Sequence, residues 1–239
     1  MKVCVFVLYH DDESLRFIQG NYSRYLHRWM FPLKIPSTRY MESIVFLEEL
    51  DRPEIKEQWV DVDLVGCIGW RWKKKHVPER FLNELMNLIL EAPSSALQSS
   101  DVLLHFLPLC GNILRPHSHP HMESILQHLF PDPEIKPEEI SFFSCNYWMT
   151  SPALMTRYIQ FLREIRTKME TDPVLETMLM ENALYQGKLS PDRLRQLMDR
   201  PYYTHHCFVM ERMPCIFFHQ EHITPRLCHS CHKDLILKI

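Results

Sequence analysis

Lys2-Val3-Cys4-Val5-Phe6-Val7-Leu8-Tyr9 runs apolar from its second residue and ends abruptly in His10-Asp11-Asp12-Glu13. A short, continuous apolar run rich in valine predicts a strand buried on both faces. Its polar end, carrying acids that can cap a helix, predicts a strand–loop–helix unit whose loop lies on the ligand-binding edge of an α/β sheet. No glycine stands in that loop. A nucleotide bound there must be held by side chains and not by a backbone cradle.

Three more strand-like runs follow, at residues 64–70, 101–107 and 141–149. Helical patterns fall between and after them. Asp11 or Asp12 can cap a helix through about residue 20, and residues 38–50 read as a second that Asp51-Arg52-Pro53 ends. Pro78 opens a third, residues 120–130 a fourth, and Ser151-Pro152 starts a long one to about 169. Residues 173–185 and 191–198 add two more before a last apolar run at 209–218. The alternation predicts an α/β fold with a mostly parallel sheet flanked by helices. No repeat, low-complexity tract or linker divides the chain, so a single domain is expected over residues 1–239.

Of the 239 residues, 46% are hydrophobic and 24% charged, which suits a folded domain with a real core. A net charge of -3 supplies no global basic field, which argues against general nucleic-acid binding. The eight cysteines sit mostly in apolar runs and read as reduced core residues, not as a disulfide frame. No stretch is long enough to span a membrane, and the first apolar run is too short for a signal peptide. A cytoplasmic protein is expected. Only five glycines occur, and the Gly-rich motifs of P-loop enzymes, kinases and dehydrogenases are absent.

Several clusters carry chemistry. Asp61-Val62-Asp63 has the form of a DXD pair that holds Mn2+ or Mg2+ on a nucleotide diphosphate, but it precedes the apolar run at 64–68, and a solvated turn is the plainer reading. At the other end of that run stands Trp70-Arg71-Trp72-Lys73-Lys74-Lys75, whose cations can neutralise a diphosphate without metal while an indole packs on a base or sugar. A solvated charged loop explains the same residues. Asn146, at the end of the run at 141–149 beside Tyr147 and Trp148, can bind sugar hydroxyls or serve as a turn residue. Glu181 and Glu211 lie in apolar contexts, where burial would raise their pKa and suit them to general-base work. Glu211 beside Arg212 also fits a structural ion pair, and Glu181 an exposed helical position. His219, His222, Cys228 and Cys231 pair off as zinc ligands do, but the five-residue gap between the pairs is shorter than familiar zinc spacings. His117, His119 and His121 read as an exposed loop.

Four elements, taken in order, resemble the GT-A-type glycosyltransferases of large DNA viruses of algae and giant viruses, and more distantly bacterial capsular-polysaccharide glycosyltransferases. They are residues 7–14 (VLYHDDES), 61–75 (DVDLVGCIGWRWKKK), 145–148 (CNYW) with the following helix, and 203–218 (YTHHCFVMERMPCIFF). The resemblance implies a GT-A fold, a nucleotide-sugar donor and sugar transfer to a hydroxyl of a glycan or glycoprotein acceptor in the cytosol, that of the host if the protein is viral. It implies a nucleotide-sugar half at 1–110, an acceptor half at 111–218 and a tail at 219–239. Tyr9, His10 and Asp11 would line the nucleotide pocket with Arg39 nearby, and Trp70, Arg71, Lys73 and Lys74 would hold the donor. Asn146, Trp148 and His206 would face the sugars, with Glu181 or Glu211 as base. Mn2+ or Mg2+ on Asp61 and Asp63 and metal-independent donor binding both remain open. Two competing expectations are a non-catalytic binding module, a degenerate transferase with a zinc-stabilised tail, and a nucleic-acid binder using residues 71–75.

Overall fold

The computed structural model describes residues 2–70, 103–105, 109–114, 119–132, 135–143, 146–224 and 226–227. The opening run forms β1 (Val3–Tyr9). Its alternate side chains divide between two layers, as a pleated strand requires. Cys4, Phe6 and Leu8 join the main core, while Val3, Val5 and Val7 are buried outside that cluster. The acids that follow start α1 (Asp12–Tyr22), with Asp11 as its N-cap. The chain returns through β2 (Met30–Lys34), parallel to β1, with Val5 opposite Met30 and Tyr9 opposite Lys34.

Residues 38–50 do not form the expected α-helix. They make a 3-10 turn (Met41–Ser43) and a π turn (Val45–Glu49), with Met41 at φ 50°. After α2 (Pro53–Lys56) comes β3 (Leu64–Gly69), buried along its whole length and parallel to β1 on the side away from β2. Strand order therefore reverses at β1.

The run at 101–107 supplies β4 (Leu103–His105), and β5 (Leu109–Asn112) follows it. The stretch at 141–149, expected as one strand, is two. β6 (Ser141–Phe143) pairs antiparallel with β5 in a separate small sheet, and β7 (Trp148–Thr150) enters the main one. β8 (Arg226–Leu227) is the last strand. The main sheet has the order β2-β1-β3-β7-β4-β8. Only β7 runs against its neighbours, and β4 and β8 are parallel, so the sheet is mixed but mostly parallel. The close passage of β7 explains Gly66, where a Cβ would stand 2.2 Å from the Trp148 carbonyl oxygen.

Helices α3 (Met122–Leu129), α4 (Pro152–Thr171), α5 (Pro173–Leu179), α6 (Pro191–Met198), α7 (His206–Met210) and α8 (Met213–Gln220) complete the described chain. Three of them begin at the expected prolines, with Ser151 the expected cap and Asp172 and Ser190 caps that the structure adds; each cap side chain accepts from first-turn amides. The largest aromatics pack around Trp148, which stacks on Phe46 (5.2 Å, 9°) and meets Tyr158 and Phe218 edge-on. Arg212 is also buried, and it donates to the carbonyls of Ile113 (2.7 Å) and Phe208 (2.6 Å), tying α7 to the chain after β5. Among the described residues no helix is long and apolar enough to cross a membrane. Cys4, Cys67, Cys207 and Cys215 are buried and in no disulfide.

Candidate functional site

Strand order reverses at β1, and the edge beyond the carboxyl ends of β1 and β3 is therefore the position where open α/β sheets bind ligands. β7 runs the other way, so its amino end reaches the same edge. Tyr9 and His10 are half-buried there, and Asp11 is exposed. The edge is stitched by the amide of Trp70 donating to Leu8 O (3.0 Å) and that of Ile35 to Tyr9 O (2.9 Å). Trp70 is held edge-on against Phe17 of α1, 5.5 Å between centroids.

Asp11 is partly committed to the fold. One carboxylate oxygen accepts from the Ser14 amide (2.8 Å) and hydroxyl (2.7 Å), and Ser14 Oγ in turn accepts from the amides of Asp11 and His10. The bonds from Ser14, amide first and hydroxyl second, hold the Asp11 carboxyl below its ordinary range. This capping box fixes the loop between β1 and α1.

Glu42 and Ser43, which the sequence did not single out, also belong to this edge, as does Tyr147, named there only as a neighbour of Asn146. Gly69 ends β3, and a Cβ there would stand 2.7 Å from Glu42 Oε1 and 2.8 Å from the Tyr147 hydroxyl. The missing side chain lets a carboxylate and a phenol converge at the strand's end. The signal was Gly69 itself, one of only five glycines, because a glycine in a strand marks a close approach. Beside them Asn146 Nδ2 donates to Ser43 Oγ (3.3 Å), and both residues are buried. The other amide atom, Oδ1, has no hydrogen-bond partner among the described residues. A buried amide oxygen left without a donor is costly, and a ligand donor would relieve that cost. Asp11, Glu42, Asn146, Tyr9, Tyr147 and Trp70 thus offer acceptors, hydroxyls and an aromatic surface, a set that suits a polyhydroxylated ligand.

Other expected residues lie elsewhere. Asp61 and Asp63 sit before β3 at the opposite edge, where Asp63 Oδ2 accepts from the Lys2 amide (2.6 Å). Gly69 lies six residues beyond Asp63, across the length of β3, about 20 Å at the rise of an extended strand. Trp148 is fully buried in the aromatic core, leaving no face for a sugar. His206 is buried too, with Nδ1 3.0 Å from Thr204 Oγ1 and its ring against Tyr40. Glu181 is exposed and pairs with His121 (3.3 Å), so the expected apolar surroundings are absent. The Arg212 guanidinium donates to two carbonyls, and the charge of Glu211 acts attractively on it as well. Glu211 follows the last residue of α7 and is half-buried. Arg39 lies over the Tyr40 ring and pairs with Glu170 (3.4 Å), three residues before Glu42.

His119 is not in an exposed loop. It is buried, stacked on Phe208 at 3.9 Å and bonded to Ala183 O (2.8 Å), while His121 is exposed. Arg71, Lys73, Lys74, His117, Cys228, Cys231 and the helix expected from Pro78 lie outside the described residues. No group of three His, Cys, Asp or Glu side chains among the described residues is arranged to hold a metal ion. No protein-family model, curated protein or solved structure matches this chain.

Proposed function

We propose that this protein is a glycosyltransferase of GT-A type, moving a sugar from a nucleotide-sugar donor to a hydroxyl of a glycan acceptor. The observation that carries the reading is the strand-order reversal at β1, where Glu42, Tyr147 and Asn146 gather at the end of β3 beside Tyr9, His10 and Asp11. Tyr9, His10 and Trp70 take the nucleoside. Arg71, Lys73 and Lys74 follow Trp70 directly in the chain and neutralise the departing diphosphate. Asp61 and Asp63, at the far edge, are too distant to share a metal with a diphosphate held at the end of β3.

In a direct displacement the acceptor oxygen attacks the anomeric carbon, the bond to the diphosphate oxygen breaks, and its electron pair leaves with the diphosphate. The acceptor proton passes to a carboxylate. Glu42 is better placed for that step than Glu181, which is exposed and paired with His121.

A thermal-shift screen against UDP-, GDP- and dTDP-sugars, with and without manganese, tests the reading. A donor at a hundred times its Kd stabilises the fold by about 2.7 kcal/mol, roughly 5–10 °C in Tm for a chain of this size. Lys73→Ala and Lys74→Ala should remove most of that shift, and EDTA should leave it. If no nucleotide sugar raises Tm, the reading fails.

A further inference from the structure

Beside the working edge lies a cleft of about 630 Å³ whose charged side chains come from five separate stretches of chain. Arg39 projects from the segment after β2, Glu48 from the π turn, Arg166 and Glu170 from α4, and Glu176 from α5. Arg195 of α6 faces them. With Asp199 included, three guanidiniums stand against four carboxylates, so the lining is close to charge balance.

The cations are already matched. Arg166 bridges Glu48 (2.8 Å) and Glu170 (3.0 Å), Arg39 reaches Glu170 (3.4 Å), and Arg195 pairs with Asp192 (2.6 Å). Tyr40, buried between the Arg39 and Arg166 guanidiniums at 5.4 and 5.3 Å, donates its hydroxyl to Glu170 (2.7 Å). Burial works to raise the Glu170 carboxyl, but the bonds from Tyr40 and Arg166 outweigh it and hold the group below its ordinary range. The mesh presents fixed donors and fixed acceptors with little net field.

We propose that this cleft is the acceptor subsite and that it takes an uncharged oligosaccharide. An anionic chain would have to displace a carboxylate from its arginine, and a cationic one an arginine from Glu48 or Glu170 to engage more than Glu176. Either leaves a like charge facing the ligand. A neutral hydroxyl donates to a carboxylate and accepts from a guanidinium without separating the pair. The position fits the reaction. Arg39 and Tyr40 line the cleft, while Glu42 and Ser43, next in the same segment, stand at the end of β3. Arg39 is three residues from Glu42, at most about 10 Å of chain. A glycan seated in the cleft therefore has its terminal hydroxyl within reach of that edge. The acceptor role rests on the transferase reading; binding of a neutral glycan does not.

Ligand-observed NMR on the full chain, with neutral trisaccharides of glucose, mannose and N-acetylglucosamine, tests the assignment against a trigalacturonate and a chitosan trimer. Nucleotide-sugar stabilisation is read separately on the same samples. At least one neutral trisaccharide should bind. Glu176→Gln and Arg195→Ala, both exposed on α5 and α6, should weaken it by about tenfold or more. Both variants should melt as the unaltered chain does and keep the nucleotide-sugar shift. Binding of only the acidic or only the cationic trimer overturns the assignment, as does silence of every neutral trisaccharide to about 10 mM. Loss of neutral-glycan binding in neither variant also overturns it. Neutral-glycan binding without any nucleotide-sugar shift sinks the transferase reading and leaves a glycan-binding cleft.

Discussion

Lowering the pH from 7.5 to 5.0 should destabilise this fold through two adjacent histidines. His205 and His206 are both buried, and both ring nitrogens of His205 lack a hydrogen-bond partner among the described residues. Burial first, then the positive neighbours His119, His121 and Arg212, push His205 down to about 4. Burial, then Arg39 and His205, push His206 down to about 3, against a smaller opposing pull from Glu170. Both folded values lie below the ordinary histidine value, so the unfolded chain binds protons more readily. Their contribution is whole above about pH 6.5 and is lost as the pH falls towards the folded values. At pH 5.0 each histidine costs about 2 kcal/mol, 1.5 pH units at about 1.36 kcal/mol each, and the pair about 4 kcal/mol. That is a large share of the 5–15 kcal/mol typical of a domain. The low-lying carboxyls of Asp11, Asp51 and Asp172 matter only below about pH 4. Glu49, raised by burial, opposes the trend. Urea denaturation followed by circular dichroism at pH 7.5, 6.5 and 5.0 measures the effect. The variant carrying His205→Gln and His206→Gln should start less stable at pH 7.5 and change by less than about 1 kcal/mol on acidification. Equal stability of the unaltered chain at both pH values, or an undiminished fall in the double variant, refutes the reasoning.

Gly66→Ala drives a Cβ to 2.2 Å from the Trp148 carbonyl and should cost about 1–3 kcal/mol or more by prising β7 from β3. Gly20→Ala, with nothing within 4 Å on an exposed part of α1, should instead gain about 0.5–1 kcal/mol; chemical denaturation of both measures the contrast. Trp148→Ala should lose about 3–5 kcal/mol as a core truncation, while the fraction still folded binds nucleotide sugar with unchanged Kd in a titration at low temperature.

The frame of the fold is written in local patterns. The valine-rich run of β1 and the apolar run of β3 are buried strands as read, and the serine–proline and aspartate–proline pairs start their helices. β2 escaped because Pro32 interrupts it, yet β2 is an edge strand, where a missing amide is tolerated. The run at 209–218 crosses from α7 into α8, short helices buried on nearly every side, so no polar period marks them. Sequence separation hid the site. Glu42, Gly69 and Tyr147 meet only after three distant segments come together, and Glu42 sat in what read as an ordinary amphipathic helix. Trp148 shows the converse, since an aromatic beside a promising asparagine turned out to be the centre of the core.

Amide chemical-shift mapping of a bound nucleotide sugar on the full chain addresses the location of the donor most directly. The largest perturbations should cluster at residues 9–11, 42–43, 69–70 and 146–147, the groups gathered at the carboxyl ends of β1 and β3. Perturbations centred on residues 61–63, at the opposite edge of the sheet, would contradict the account.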